Sequence, residues 1–177
     1  MSVLVFHGTM GSPEGNWFPW LKAQLPDVVV PRLPTPEGQD PRNWLAAIPA
    51  IGPDDILIGH SCGATFLLHV LEGLAAPVRQ SVFVSPVMGV LGLPEYDRLN
   101  RAFFDYPFDW TKIRANMERS AIFHGDNDPY VPMMQAFELH NALGGHIEII
   151  PGGGHLNGES GFSAFPRLLE WVVGAAA

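Results

Sequence analysis

"ILIGHSCGA", residues 56–64, reads in two halves. Ile56, Leu57 and Ile58 are apolar and β-prone, as in a strand buried on both faces. From Cys62 to Leu74 the chain turns helical in pattern. Between the halves lies Gly59-His60-Ser61-Cys62-Gly63. Gly-x-Ser-x-Gly on a strand-to-helix corner is a nucleophile elbow. Its glycines answer a steric demand. The serine takes a strained backbone conformation, and a Cβ at residue 59 or 63 would collide with the strand or the helix. The corner lifts the Ser61 hydroxyl above the carboxyl ends of the strands. It also aims the first helix amides at negative charge developing there. The pentapeptide alone is weak; the buried strand before it and the apolar helix after it give it weight.

Outward from this corner, short apolar runs alternate with longer amphipathic ones. The runs Val3–Phe6, Val28–Val30, Ile56–Ile58, Val82–Val84, Ala121–Phe123 and Ile147–Ile150 read as strands. Helices are expected near 17–24, 43–48, 62–74, 96–104, 133–143 and 162–173. A helix after every strand predicts an α/β sheet with right-handed crossovers. The 177 residues suffice for one domain, 1–177, and the Pro-rich stretch 31–41 reads as a loop within it. With 47 % hydrophobic residues the chain is globular and not disordered. A net charge of −8 without a basic stripe argues against nucleic acid as a partner. One cysteine, Cys62, fits a reducing compartment. The opening "SVLVFHG" is too short and too poor in basic residues for a signal peptide, and no stretch approaches a membrane span. The expectation is a cytoplasmic protein that does not enter a membrane.

A serine hydroxyl needs a base, and the base needs a carboxylate. In the elbow fold these follow in the order Ser, acid, His. Of seven histidines, His7 and His124 end strands, His60 lies inside the elbow, His69 and His140 sit in helices, and His146 opens the last strand. His155, in the glycine-rich "PGGGHLNG", is placed to swing an imidazole across the sheet. The preceding strand runs into "GDNDPYVP". Asp126 there suits a turn or a cap. Asp128 stands further out, stiffened by Pro129, and is the favoured acid. Asp105 and Asp109 are distant alternatives. The oxyanion donors expected are the backbone N–H groups of Cys62 and of Thr9, with that of Met10 as the alternative to Thr9. Cys62 is itself a rival nucleophile, because a cysteine at a helix start has a lowered pKa. No metal is expected: the histidines lack ligand spacing and there is no cysteine cluster. The connection 86–120 carries "FFDYPFDW". Phe103, Phe104, Phe108 and Trp110, with Met10, are candidates to roof a substrate pocket, against ordinary packing of a long loop.

The segments "HGTMGSPEGNWFPWLKAQL", "IGHSCGA", "DWTKIRAN", "GDNDPYVP" and "GGGHLNGESGF" together resemble the small α/β-hydrolase serine hydrolase family of retinoblastoma-binding protein nine and the YdeN-like proteins. The resemblance covers nearly the whole chain. It implies the α/β-hydrolase fold without a large cap domain or the first two antiparallel strands of longer relatives. It implies Ser61, Asp128 and His155 as a triad. The Leu-x-Cys-x-Glu motif tied to the retinoblastoma partner is absent, so that partner is not carried over. The expected architecture is a six-stranded parallel sheet, order 2-1-3-4-5-6, with helices on both faces. The expected activity is cofactor-free hydrolysis of a small ester, thioester or amide through an acyl-serine. The rivals are aminopeptidase-like amide cleavage and a binding module that kept the fold and lost turnover.

Overall fold

The computed structural model describes residues 2–174. Strands and helices follow as β1 (Val3–Phe6), α1 (Phe18–Gln24), β2 (Val28–Val29), α2 (Pro41–Ala47), β3 (Ile56–His60), α3 (Cys62–Gly73) and β4 (Gln80–Val84). They continue as α4 (Pro94–Phe104), α5 (Trp110–Ala115), β5 (Ser120–Gly125), α6 (Met133–Leu143), β6 (His146–Ile150), a 3-10 turn (Gly158–Ser160) and α7 (Pro166–Gly174). The strands form one parallel sheet in the order β2-β1-β3-β4-β5-β6. This is the order expected from the sequence.

Strand side chains alternate between two faces, and the core divides accordingly. Leu4, Phe6, Leu57, Phe83 and Ile122 point to one side, where Trp44 of α2, Phe66 and Leu67 of α3, Phe103 of α4, Ile113 of α5 and Leu139 of α6 meet them. Val3, Val5, Ile56, Ile58, Val82, Val84 and Phe123 point to the other, covered by Phe18 and Leu21 of α1 and Leu168 and Val172 of α7. Helix α3 is buried from Cys62 to Leu71, because α2, α4 and α5 pack over it. A helix enclosed this way has no polar stripe to show in its sequence. Local signals set several helix starts. Pro41 takes the first position of α2, and Asp40 caps it by accepting from Arg42 N at 2.8 Å.

Most elements differ from expectation by a few residues at their ends, and three departures go further into the fold. β2 is two residues long, since only Val28 and Val29 pair with β1. The connection after β4 holds two helices, not one. Asp109 caps α5, accepting from Thr111 N and Lys112 N at 3.1 Å each, a signal hidden beside the aromatic run. α7 begins at Pro166, later than the expected start at 162, and residues 158–160 before it form a separate 3-10 turn.

The start of α3 lies against β1. A Cβ at Gly63 would overlap the carbonyl oxygens of Phe6 and His7, whereas one at Gly73 would meet nothing within 4 Å. Gly63→Ala is therefore expected to destabilise by about 1–3 kcal/mol through forced backbone shifts. Gly73→Ala should be neutral or stabilise by up to about 1 kcal/mol. Urea unfolding of the two variants beside wild type measures the contrast.

Candidate active site

Ser61 joins β3 to α3 with φ 59° and ψ −125°. This region costs a non-glycine residue about 1–3 kcal/mol, so the surroundings must impose it. They do. Ser61 N donates to Val84 O at 2.9 Å, holding the corner to β4. A Cβ at Gly59 would overlap Gly63 O and the Ala64 backbone, so only glycine lets the strand and helix close around the serine. Gly8, after β1, lies beneath the side chain: a Cβ there would sit 2.8 Å from Ser61 Cβ and 3.2 Å from Oγ.

The loop after β6 carries His155 to the same place. Its backbone is fixed at both ends of the residue. His155 N donates to Ser160 Oγ at 3.0 Å, and His155 O accepts from His60 Nε2 at 3.0 Å and Ser85 Oγ at 3.2 Å. The ring donates from Nδ1 to Asp128 Oδ2 at 2.7 Å, which leaves Nε2 as the basic nitrogen. Asp128 has a side chain 1 % exposed, and its Oδ1 accepts from Tyr130 N at 2.9 Å and Val131 N at 3.0 Å. Burial pushes the Asp128 pKa up. The hydrogen bond and charge of His155 and the two amides outweigh burial and hold the group below the ordinary carboxylate value. Asp126 plays a different part: it is exposed, and its Oδ1 accepts from Gly152 N at 2.7 Å, tying the acid loop to the β6 loop. Ser61 and His155 line one cleft without a hydrogen bond between them among the described residues. Such bonds tighten when substrate is bound.

In the first loop, one of the two candidate amides is already engaged. Met10 N donates to Thr35 Oγ1 at 2.8 Å and is engaged there. Thr9 is held by its side chain: Oγ1 donates to Asn100 Oδ1 of α4 and accepts from Gln39 Nε2 at 2.8 Å. Thr35 Oγ1 in turn donates to Gln39 Oε1 at 2.6 Å. Thr35, Gln39 and Asn100 thus fix the loop that carries Thr9, and none of them was singled out from the sequence. Cys62 is fully buried; burial pushes its thiol up to about 12, with a smaller opposing effect from Thr9. Burial thus works against the thiolate that a cysteine nucleophile needs. Three histidines set aside in the sequence prove to be clamps. A carbonyl can only accept, so the ring nitrogen facing it carries the proton. His7 Nδ1 donates to Gly8 O at 2.9 Å, His60 Nε2 to His155 O, and His124 Nδ1 to Gly125 O at 2.7 Å.

The cleft measures about 300 Å3 and is lined by Gly8, Thr9, Met10, His60, Ser61 and His155, among others. Tyr96 and Asn100 of α4, Leu91, Tyr130, Val131, Asn157 and Glu159 complete its walls. Tyr130 donates to Glu159 Oε2 at 2.7 Å across its rim. Of the expected pocket residues, Met10 is here. Phe103, Phe104, Phe108 and Trp110 are not, and the aromatic roof is corrected. Phe103 is fully buried, 4.6 Å from Trp44 between ring centroids. Phe108 and Trp110 pack against the same cluster, Phe108 4.9 Å from His69, and Phe104 is half-buried away from the cleft. Tyr96, Asn100 and Phe103 share one face of α4; Tyr96 and Asn100, nearer its start, border the cleft, while Phe103, at its far end, packs into the core beside Trp44 and Phe66. A larger concavity of about 520 Å3, beside the first residues of β5 and β6, contains none of the expected site residues. Among the described residues no three His, Cys, Asp or Glu side chains group as a metal would need.

Comparison with known proteins matches residues 3–173 to the family described as "Serine hydrolase". The chain is 26 % identical over 176 residues to YdeN of Bacillus subtilis, covering 95 % of this chain and 92 % of that protein. It is 25 % identical over 148 residues to the serine hydrolase RBBP9 of Rattus norvegicus, covering 79 % and 77 %. The crystal structure of the B. subtilis ydeN gene product superposes with a TM-score of 0.90 at 23 % identity, over 98 % of this chain and 97 % of that one. At that identity the likeness speaks for the fold.

Burial lowers the pKa values of His7, His60, His69 and His124, that of His60 to about 3. In the unfolded chain all four titrate near the ordinary value of about 6.5. As pH falls through that value the unfolded chain takes up protons that the folded one refuses. Stability present above pH 6.5 is then lost. Melting temperatures recorded from pH 7.5 to 5 should fall steadily, while Asp128, with a depressed pKa, responds only at more acid pH.

Proposed function

This chain belongs to the serine hydrolase family, and on that premise we propose that it cleaves a small carboxylic ester, thioester or amide through an acyl-Ser61 intermediate. The observation that carries this reading is the 2.7 Å bond from His155 Nδ1 to a buried Asp128, beside a serine held at positive φ in the same cleft. Ser61 Oγ attacks the substrate carbonyl while His155 Nε2 takes its proton. Asp128 fixes the tautomer and stabilises the imidazolium. The N–H groups of Cys62 and Thr9 receive the oxyanion. His155 returns the proton to the leaving alcohol, thiol or amine. Water then attacks the acyl-enzyme, with His155 again as base. The reading requires no cofactor.

The cleft lining favours neutral or cationic substrates: it includes Glu159 and neither lysine nor arginine. That supports an aminopeptidase-like amide hydrolysis as the second reading, with Glu159 facing an amino group. A binding module without turnover has no use for the buried Asp128–His155 pair. The −8 charge speaks against nucleic acid, and a lone cysteine supports a cytoplasmic setting. Among the described residues no helix is long and apolar enough to cross a membrane.

A fluorophosphonate should label Ser61 once and abolish turnover of chromogenic esters, with Cys62→Ala remaining active. Label that survives Ser61→Ala, or that lands on Cys62, overturns the nucleophile. Asp128→Asn should lower kcat at least about a hundredfold, roughly 3 kcal/mol of barrier. Asp126→Asn, which loses the bond to Gly152 N, should cost far less. Esters of graded acyl length beside aminoacyl amides separate the two readings. Met10→Ala and Tyr96→Ala should shift acyl preference. Phe103→Ala should instead cost about 3–5 kcal/mol of stability and leave preference unchanged.

A further inference from the structure

Asp128 is flanked by two imidazoles, and the mechanism uses one of them. His124 Nε2 lies 3.7 Å from Asp128 Oδ2, fully buried and without a hydrogen-bond partner. The other ring nitrogen explains why. Nδ1 is 2.7 Å from Gly125 O, and a contact that short to a carbonyl requires the proton on Nδ1. Neutral His124 therefore presents a bare nitrogen to the carboxylate. An orphaned buried polar atom costs free energy, and a proton on Nε2 would relieve it by donating to Asp128. The fold prevents this by engaging Nδ1.

The position matters to the base. Asp128 Oδ1 is occupied by Tyr130 N and Val131 N, so Oδ2 is the atom left for His155. A donor on His124 would share Oδ2 with His155 and weaken the charge-assisted bond that stabilises the imidazolium. The Gly125 carbonyl that fixes the His124 tautomer belongs to a residue on which the base's loop rests. A Cβ at Gly125 would overlap the Gly154 backbone.

We propose that His124 is a positioning residue for the acid: clamped by Gly125 O in its Nδ1-protonated form, it withholds a hydrogen bond from Asp128 Oδ2 and reserves that oxygen for His155. The proposal rests on the triad reading given above. A consequence concerns acid pH. Protonation puts a donor on Nε2, so His124⁺ captures Oδ2 and adds a proton-dependent loss of turnover of its own. Burial holds His124 below the ordinary imidazole value, so this loss sets in on the acid side of that value. The titratable groups that act on it are Asp128, from the loop after its own strand, and His155, from the loop after β6. Of the elements packed on β5, β6 carries His146 and Glu148, the latter ion-paired with Arg167, and α6 carries Glu138 and His140; the charges that act on His124 are those of Asp128 and His155.

Two substitutions separate positioning from packing. H124N keeps an amide donor where Nδ1 stands and places nothing at Nε2. H124Q reaches the Nε2 position with an NH2 group, a donor to Asp128 that no pH change removes. The expected order of kcat is wild type, then H124N, then H124Q. H124Q should fall roughly ten- to a hundredfold below wild type, with KM little changed. The acid limb of log kcat/KM should be steeper by one proton in wild type than in H124N. Equal kcat in H124N and H124Q, or an equally steep acid limb in H124N, overturns the proposal. If the variants do not fold, 15N NMR of the wild-type imidazoles decides. A proton on His124 Nδ1 with a bare Nε2 at neutral pH supports the proposal, and the opposite tautomer overturns it. Asp128→Asn is measured alongside. If it retains turnover, the triad reading fails; if it is inactive while H124Q matches H124N, the failure belongs to His124 alone.

Discussion

The carbonyl oxygens of Phe6 and His7 stand where the Cβ of any residue but glycine at 63 would have to be. That approach of α3 to β1 is the constraint on which the site depends. It lets the chain leave β3 and enter a helix within one residue, and that residue is Ser61, at φ 59°. Gly59 and Gly8 complete the corner around the strained serine, each standing where a Cβ would strike the helix start or Ser61 itself. Burial of α3 holds the arrangement in place, since the helix cannot back away from β1 without opening the core cluster to which it supplies Phe66, Leu67, Leu68 and Leu71.

How much of this was legible beforehand follows from how local each signal is. The elbow is five consecutive residues, and the order of the sheet follows from the alternation of apolar runs with a known elbow in third place. The positions of His155 and Asp128 follow the strand ends, and the structure brings both to the serine. The walls of the cleft were not legible. Thr9 meets Asn100 across 91 residues, and Gln39 reaches Thr9 from a proline-rich loop with no pattern of its own. The aromatic segment misled for a related reason. Asn100 and Phe103 share one face of a helix and both are buried, and only their places along it decide that the first borders the cleft and the second the core.

The histidines show a second kind of illegibility. His7, His60 and His124 stand at or just past the ends of β1, β3 and β5, where backbone carbonyls run out of strand partners. Each buries a neutral ring and donates to such a carbonyl: Gly8 O, His155 O and Gly125 O. A lysine or arginine there would bring a charge into the core, and an aliphatic residue would leave the carbonyl without a donor. Imidazole is large, uncharged when buried and able to donate from either side. In a sequence, such residues look like surplus candidates for the general base. In the structure they hold the loops that carry the base, the acid and the oxyanion donors.

The two-residue length of β2 bears on how these molecules meet one another. A parallel sheet has two open edges, and each is a template on which another chain can lay a strand. On one side β2 presents too short a row of amides and carbonyls to seed such pairing. On the other, β6 carries Glu148 paired with Arg167 and begins with an exposed His146. The first edge is protected by brevity and the second by polarity. A sheet apolar enough to fill both faces of the core can therefore stay unpaired in a crowded solution, where self-association would otherwise compete with folding.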